Sequence, residues 1–371
     1  MTRVLASAAL CPPGPPAPGW VAIDDGVIVE TGWGPAPAGA LDTGPTLLSP
    51  GLIDVQVNGV DGDDFATADT AGWRRAGRAQ LEHGVTAYCP TFVSAPFEWY
   101  DAALRRAGAA RADADGRALP CIVGVHLEGP FLGGAPGAHP VELVRPVDLA
   151  WLEQELAAFP DLVCVVTLAP EADPGLAATR FLCDHGVTVA LGHSTATYDE
   201  SCAAADAGAR LVTHLFNGMA PLHHREPGLA GAALDDDRLT PTLIADMVHV
   251  HAAALRLAIN RKRNVALVSD QVATAGMDVT KDGAARLADG TIAGSTLSMD
   301  RAVGNIVALG VPVERALEMA SVVPAGVLGL TDRGRLAEGA RADLVAFDSR
   351  SLDVRAVWLA GERVFGPIGD D

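Results

Sequence analysis

Apolar residues fall in short runs along most of this chain, and between many runs the pattern widens to that of an amphipathic helix. The runs are GLIDVQVNG from Gly51, GVTAYCPTF from Gly84, CIVGVHLEG from Cys121 and LVCVVTLAPE from Leu162. GVTVALGHS from Gly186, RLVTHLFN from Arg210, PTLIADMVHV from Pro241 and VALVSDQVA from Val265 complete the set. Their Val, Leu, Ile and Ala content suits strands buried on both faces. Helix-like stretches at residues 70–83, 97–111, 147–158 and 251–262 separate several of them. Alternation of this kind predicts a parallel sheet, and eight such strands favour closure into an α/β fold, a (β/α)8 TIM-type barrel.

The stretch from Gly186 to Asn217 is the clearest unit. Thr197 is placed as a helix N-cap, Asp199 and Glu200 follow in the first turn, and Gly208 is a stop. Each flanking strand ends in an imidazole, His193 and His214. The strand–helix rhythm is absent at both ends of the chain. Residues 20–32 read as a hairpin turned at Asp24-Asp25-Gly26, and similar short strands near the other end turn near Gly339 and Gly361. Residues 1–48 and 335–371 are therefore expected to form one small β-sandwich domain, and residues 49–334 the barrel. The link from the sixth run to the seventh reads as a long loop, and Asp278 to Ser295, with Asp282-Gly283 and Asp289-Gly290, as a hairpin insert.

Composition narrows the functional range. With 371 residues and 49% hydrophobic content, the chain can bury a large core. A formal charge of −19 argues against nucleic acid or an anionic membrane surface as partner, and an anionic substrate would need a local basic pocket. The six cysteines include no C-x-x-C pair and read as reduced, buried thiols. The sequence shows no signal-peptide pattern and no apolar run of membrane-spanning length, so a cytoplasmic protein is expected.

Polar residues gather where the runs end. The first ends in Asp54, Gln56 and Asn58, the third in His126 and Glu128, the fifth in His193, and the sixth in His214 and Asn217. The seventh offers Asp246 and His249, the eighth Asp270. In a barrel of this kind, carboxyl strand ends face the active site. Glu128, His193 and His214 supply one carboxylate and two imidazoles, the ligand set of a catalytic zinc with an open position. Asp270 is then the proton carrier. Taken singly, a strand-end histidine is more often a hydrogen-bonded structural group; the case for a site is the convergence of all four polar groups on one face. His126 could join the site or pack beneath it, and His223 and His224 either add charge near an anion or lie in a solvated loop. His83, His185 and His251 read as helix-end groups, and Asp54 as an anchor of the first loop.

PGLIDVQVNG, GVTAYCPT, HLEGPFL, GAH, GHS, THLFN, REPGLAGAAL and the SDQ turn together resemble the N-acetylglucosamine-6-phosphate deacetylases of the amidohydrolase superfamily. The resemblance runs from about residue 48 to the end, and the combination of HLEGP, GHS and REPGLAG is what makes it specific. It implies hydrolysis of the acetamide of an amino-sugar phosphate in a cytoplasmic homodimer, with Glu128, His193 and His214 as ligands of one divalent metal ion per subunit. Zinc is the first choice, with iron(II) or another divalent ion as alternatives. It makes Asp270 the catalytic acid/base and His139 the residue that polarises the acetyl carbonyl. Ala138, Asn217 and Gly218 would contact the sugar, Arg225 and His249 the phosphate side, one of them across the dimer interface. Leu297, Ser298 and Met299 match a further substrate segment. Many amidohydrolases carry His-x-His on the first strand and a second metal; here the spacing gives Gln56 and Asn58, weak ligands for transition metals. A mononuclear site follows, with these carboxamides hydrogen-bonding around it. Where relatives carry basic residues before Gly-Ala-His, this chain has Gly133-Gly134-Ala135-Pro136, so another N-acetyl amino sugar stays open. Other readings are a different metal-dependent amidohydrolase, against which the absence of Lys in LVCVVTLAPE counts, or a catalytically inactive sugar-phosphate-binding regulator.

Overall fold

The computed structural model describes residues 2–12, 14–115, 117–274, 277–280 and 283–367. Its centre is a parallel barrel of β1 Leu52–Val57, β2 Val85–Val93, β3 Val125–Glu128, β4 Val163–Leu168, β5 Thr188–Leu191, β6 Leu211–Val212, β7 Thr240–Ile244 and β8 Ala266–Val268. Each strand pairs in parallel with the next. Among the described residues no ladder joins β8 to β1; the ring is completed just past the strand ends. The Asp270 N–H donates to the Gln56 carbonyl at 2.9 Å and the Asn58 N–H to the Gln271 carbonyl at 2.7 Å. A single parallel bridge between Val57 and Gln271 sits beside them. This stitching places Gln56, Asn58 and Asp270 together at the carboxyl end.

Local chemistry explains the helices. Thr197 caps the helix Tyr198–Asp206 through a full capping box with Glu200, and Gly208 follows at φ +120°. Asp69 and Asp148 cap Thr70–Glu82 and Leu149–Ala158 by accepting from main-chain N–H groups. The strands are shorter than the apolar runs. CIVGVHLEG breaks at Gly124, where a side chain would meet Cys164, so Cys121–Ile122 and Val125–Glu128 pair separately with β2. The long link between the sixth and seventh runs contains a helix, Gly228–Asp235, rather than loop throughout. Residues 228–234 are buried on every side, so no polar face marks the helix in the sequence. The segment after β8 forms three short antiparallel strands, Asp278–Val279, Ala284–Arg286 and Ile292–Ser295. Of its two expected turns, Asp289-Gly290 is present, with Gly290 at φ +87°, and Asp282 lies outside the described residues.

The ends of the chain share one sheet. Thr46–Pro50 pairs in parallel with Arg3–Leu10 on one side and antiparallel with Leu344–Asp348 on the other. That shared strand joins both groups into one continuous ladder. Leu5, Val21, Ile28, Leu48, Leu344 and Trp358 form its own apolar cluster. All six cysteines are free. No helix among the described residues is long and apolar enough to cross a membrane.

Candidate active site

Three strand ends bring a carboxylate and two imidazoles to one point. His193 Nε2 and His214 Nε2 each lie 3.0 Å from Glu128 Oε1, and 3.1 Å from one another. All three residues are buried. Burial by itself would raise the Glu128 carboxyl, but the two imidazoles hold it well below the ordinary value. The backbone is bent to present the side chains: His193, His214 and Asp270 have φ of +49°, +30° and +47°. Left-handed geometry at non-glycine residues costs roughly 1–3 kcal/mol each and collects at functional sites. Gly218, at φ +57°, comes close enough to His193 that a Cβ would stand 2.7 Å from Nδ1, so only glycine leaves that ring in place.

Asp270 stands beside the cluster. Its Oδ1 accepts from Gln56 Nε2 at 3.1 Å and Asn58 Nδ2 at 3.0 Å. Gln56 Nε2 also donates to Glu128 Oε1 at 3.0 Å, so one amide bridges two carboxylates that would otherwise repel. Ionised carboxylates only accept, which sets the orientation of both carboxamides. Burial, then the nearby Glu128 charge, lifts the Asp270 carboxyl to about 7. An acid balanced near neutrality can both take and return a proton.

A cavity of about 290 Å³ opens over these groups. Its lining includes Asn58, Glu128, Ala138, His139, His193, His214, Asn217, Gly218, His249 and Asp270. His249 Nδ1 lies 2.6 Å from Asp246 Oδ2; burial opposes the Asp246 charge, and His249 still holds that carboxyl below its usual range. Burial, then the His193 charge, lowers His139 to about 3, leaving it neutral. His126 lies beneath the cluster, with Nδ1 3.1 Å from the Val55 carbonyl and Nε2 2.7 Å from Thr167 Oγ1, lowered to about 4 by burial. Arg225 is exposed and outside the lining. Leu297, Ser298 and Met299 are buried but also outside it, with Ser298 Oγ donating to Asp300 at 2.5 Å.

Sequence reasoning passed over several groups. Glu171, past the end of β4, accepts from Ser194 Oγ and Thr195 N–H, both at 2.6 Å, and from Gly134 N–H at 3.3 Å. It clasps the loop after His193 to the loop before His139. Ser94 touches His139, and Met277, Leu287 and Ile292 from the three-stranded insert roof the cavity. Only the terminal Pro-Glu of LVCVVTLAPE hinted at Glu171, and nothing in the local pattern set Ser94 apart.

The donor set fits a divalent cation. Two imidazole nitrogens and a carboxylate oxygen, mutually 3.0–3.1 Å apart, approach the roughly 3.3 Å edge of a tetrahedron with bonds of about 2.0–2.1 Å. The approach of Nε2 to Nε2 is repulsive if both carry protons, and favourable if both lone pairs face one cation. Glu128, His139 and His193 also present ligand atoms within 4.8 Å of one another. The tighter set with His214 is the better match to a coordination sphere.

A parallel barrel with such a cluster and a buried acid at its strand ends is the architecture of metal-dependent hydrolytic enzymes. The Amidohydrolase family model matches residues 47–364, and the chain belongs to that family of hydrolases. It is 40% identical over 355 residues to an N-acetylgalactosamine-6-phosphate deacetylase of Escherichia coli O157:H7, covering 92% of this chain and 93% of that one. It is 39% identical over 351 residues to the Mus musculus N-acetylglucosamine-6-phosphate deacetylase, covering 87% and 85%. Among solved structures, a mutant N-acetyl-D-glucosamine-6-phosphate deacetylase from Mycobacterium smegmatis, in complex with N-acetyl-D-glucosamine-6-phosphate, superposes with a TM-score of 0.89. That pair is 36% identical, covering 98% of this chain and 99% of the other.

Proposed function

We propose that the chain hydrolyses the acetamide of N-acetylglucosamine 6-phosphate, releasing acetate and glucosamine 6-phosphate. The observation that carries this reading is the convergence of Glu128, His193 and His214 beside Asp270 in a chain with these relatives. One zinc ion per subunit, held by Glu128, His193 and His214, would supply positive charge that polarises the acetamide carbonyl and eases deprotonation of a water. Asp270 takes the proton from the attacking water and delivers it to the departing sugar amine. Gln56 and Asn58 hold Asp270 in place, and His139 donates to the carbonyl oxygen as charge develops on it. Ala138, Asn217 and Gly218 contact the sugar. His249 and Arg225 meet the phosphate, with Arg225 reaching the cavity of the other subunit of a cytoplasmic homodimer. Leu297 to Met299 act through the packing of the loop that they end.

A second reading has a specific ground: the relative at 40% identity acts, by its name, on the galactosamine epimer. A regulator that only binds sugar phosphate would not need Asp270. Acetate release should therefore be measured on both phosphorylated epimers and on free N-acetylglucosamine. Release from a phosphorylated sugar, abolished by chelation and restored with about one equivalent of zinc, is expected. Metal-loaded protein that frees no acetate from either epimer overturns the proposal, and two tightly held ions overturn its mononuclear form.

A further inference from the structure

We infer that Ser94 fixes the tautomer of His139 and thereby keeps that imidazole a hydrogen-bond donor instead of a metal ligand. Ser94 follows β2, and its main-chain N–H donates to His139 Nδ1 at 3.3 Å while its hydroxyl lies 2.9 Å from the same nitrogen. A main-chain N–H has no acceptor role, so Nδ1 must present its lone pair. A neutral imidazole carries one proton, and with Nδ1 unprotonated that proton sits on Nε2. The hydroxyl then donates to Nδ1 as well.

The surroundings are shaped for this contact. Gly129 has φ +87°, and a Cβ there would stand 2.4 Å from Ser94 Oγ. The glycine of the HLEGP motif thus clears the space that the hydroxyl occupies. On its other side His139 packs edge-on against His193, with ring centroids 4.4 Å apart. One of its ring nitrogens lies within 4.8 Å of ligand atoms of Glu128 and His193. With the opposite tautomer, Nε2 would carry a free lone pair able to compete for a cation held at this cluster. With the proton on Nε2, the ring cannot ligate through that atom, and Nδ1 is taken by Ser94. What remains is a neutral N–H lining the cavity, the form that can stabilise developing negative charge on a carbonyl oxygen. The inference rests on the reading of His139 as the carbonyl-polarising residue, and it assigns Ser94 as a positioning residue for it.

Two measurements separate the inference from that reading. In ring-15N-histidine-labelled holoenzyme, the His139 signals are identified by their loss in His139→Gln. They should show a protonated Nε2 and an unprotonated Nδ1 at neutral pH. Metal content and the visible spectrum of the cobalt(II)-substituted enzyme should be the same in wild type and His139→Gln. A proton on Nδ1, or loss of metal or a changed cobalt spectrum in His139→Gln, overturns the inference. Activity tests the underlying reading: a glutamine amide places its N–H2 near the former Nε2, so His139→Gln should retain about tenfold or more activity over His139→Ala. Equal activities would sink the donor role while leaving the tautomer result standing. Ser94→Ala keeps the main-chain donor and loses the hydroxyl. A several-fold fall in kcat with KM little changed is expected, and unchanged kcat would remove the hydroxyl from the assignment.

Discussion

Asp54 lies at the foot of the site, and its chemistry makes a quantitative prediction. It is wholly buried on β1. Its Oδ1 accepts from the Gln56 N–H at 3.2 Å and the Ser269 N–H at 3.3 Å, while Oδ2 has no hydrogen-bond partner among the described residues. One carboxylate thus pins the strand that carries Gln56 to the segment that carries Asp270. Burial raises this carboxyl from 3.8 to about 7. Because the folded value is raised, the folded state binds the proton more tightly than the unfolded chain. The associated stability is complete below the unfolded value and is lost as pH climbs through about 7. From these two values the loss grows by about 2–3 kcal/mol between about pH 5 and about pH 8. Asp54→Asn keeps an oxygen in the Oδ1 position and removes the charge. Whatever constant effect the amide has cancels when the two pH values are compared. The variant should therefore gain on wild type by about 2–3 kcal/mol between the acidic and the alkaline condition. For a chain of this size that is about 3–4 °C in the difference of thermal midpoints. Zinc-saturated wild type and variant, scanned side by side at both pH values, provide the assay. An equal difference at both pH values, or one that grows toward acid, would refute the account of Asp54 as a buried neutral acid.

Asp270→Asn should keep its metal, because Glu128, His193 and His214 are untouched, and lose at least about 10³ in kcat, near 4 kcal/mol of barrier; activity within tenfold of wild type would remove Asp270 from proton transfer. In the wild type, kcat/KM should rise with pH as Asp270 loses its proton, with a midpoint at or below about 7, since burial and Glu128 raise that carboxyl and a bound cation draws it down. A profile flat through the acidic range counts against it. Arg225→Ala should raise KM for the phosphorylated sugar about tenfold or more while leaving the free sugar nearly unchanged, and equal effects on both would mean that Arg225 does not read phosphate.

The barrel was legible because its signal is periodic: buried runs of Val, Leu and Ile alternating with helical spacing need no tertiary knowledge. The strand-end polar groups were legible for a related reason. Glu128, His193 and His214 interrupt apolar runs at positions where burial is costly without a partner. What escaped was set by contacts distant in sequence. The helix Gly228–Asp235 has no polar face to mark it. Ser94 meets His139 across 45 positions, and Ser94 does not look unusual among its neighbours. Glu171 acts through the loops that it clasps and does not face the cavity. The shared sheet at the ends follows from Thr46–Pro50 taking partners on both edges, a pairing that local alternation cannot express.

Charge places the hardest demand on the proposed substrate. A phosphate dianion would enter a protein of formal charge −19 and a cavity lined by Asp64, Glu128 and Asp270, with no Lys or Arg among the described lining residues. His249 is near, but Asp246 already partners its ring. The stretch before His139 offers no cation, and the structure supplies a reason. A Cβ on Gly133 would meet Glu171 Oε1 at 1.9 Å, and one on Gly134 would meet Thr195 Oγ1 at 2.5 Å, so the Glu171 clasp demands glycine where a basic side chain would otherwise stand. Part of the required positive charge would come with the divalent cation at Glu128, His193 and His214. That charge sits at the reacting end and serves a phosphorylated and a free sugar alike. A candidate for selecting the phosphate is Arg225, an exposed arginine in a loop with His223 and His224, with no ion pair for its guanidinium among the described residues. An arginine exposed and outside the lining of its own cavity is compatible with the proposed role at the cavity of a second copy. With Arg225 acting across the proposed dimer, phosphate selectivity and dimer formation are expected to stand or fall together.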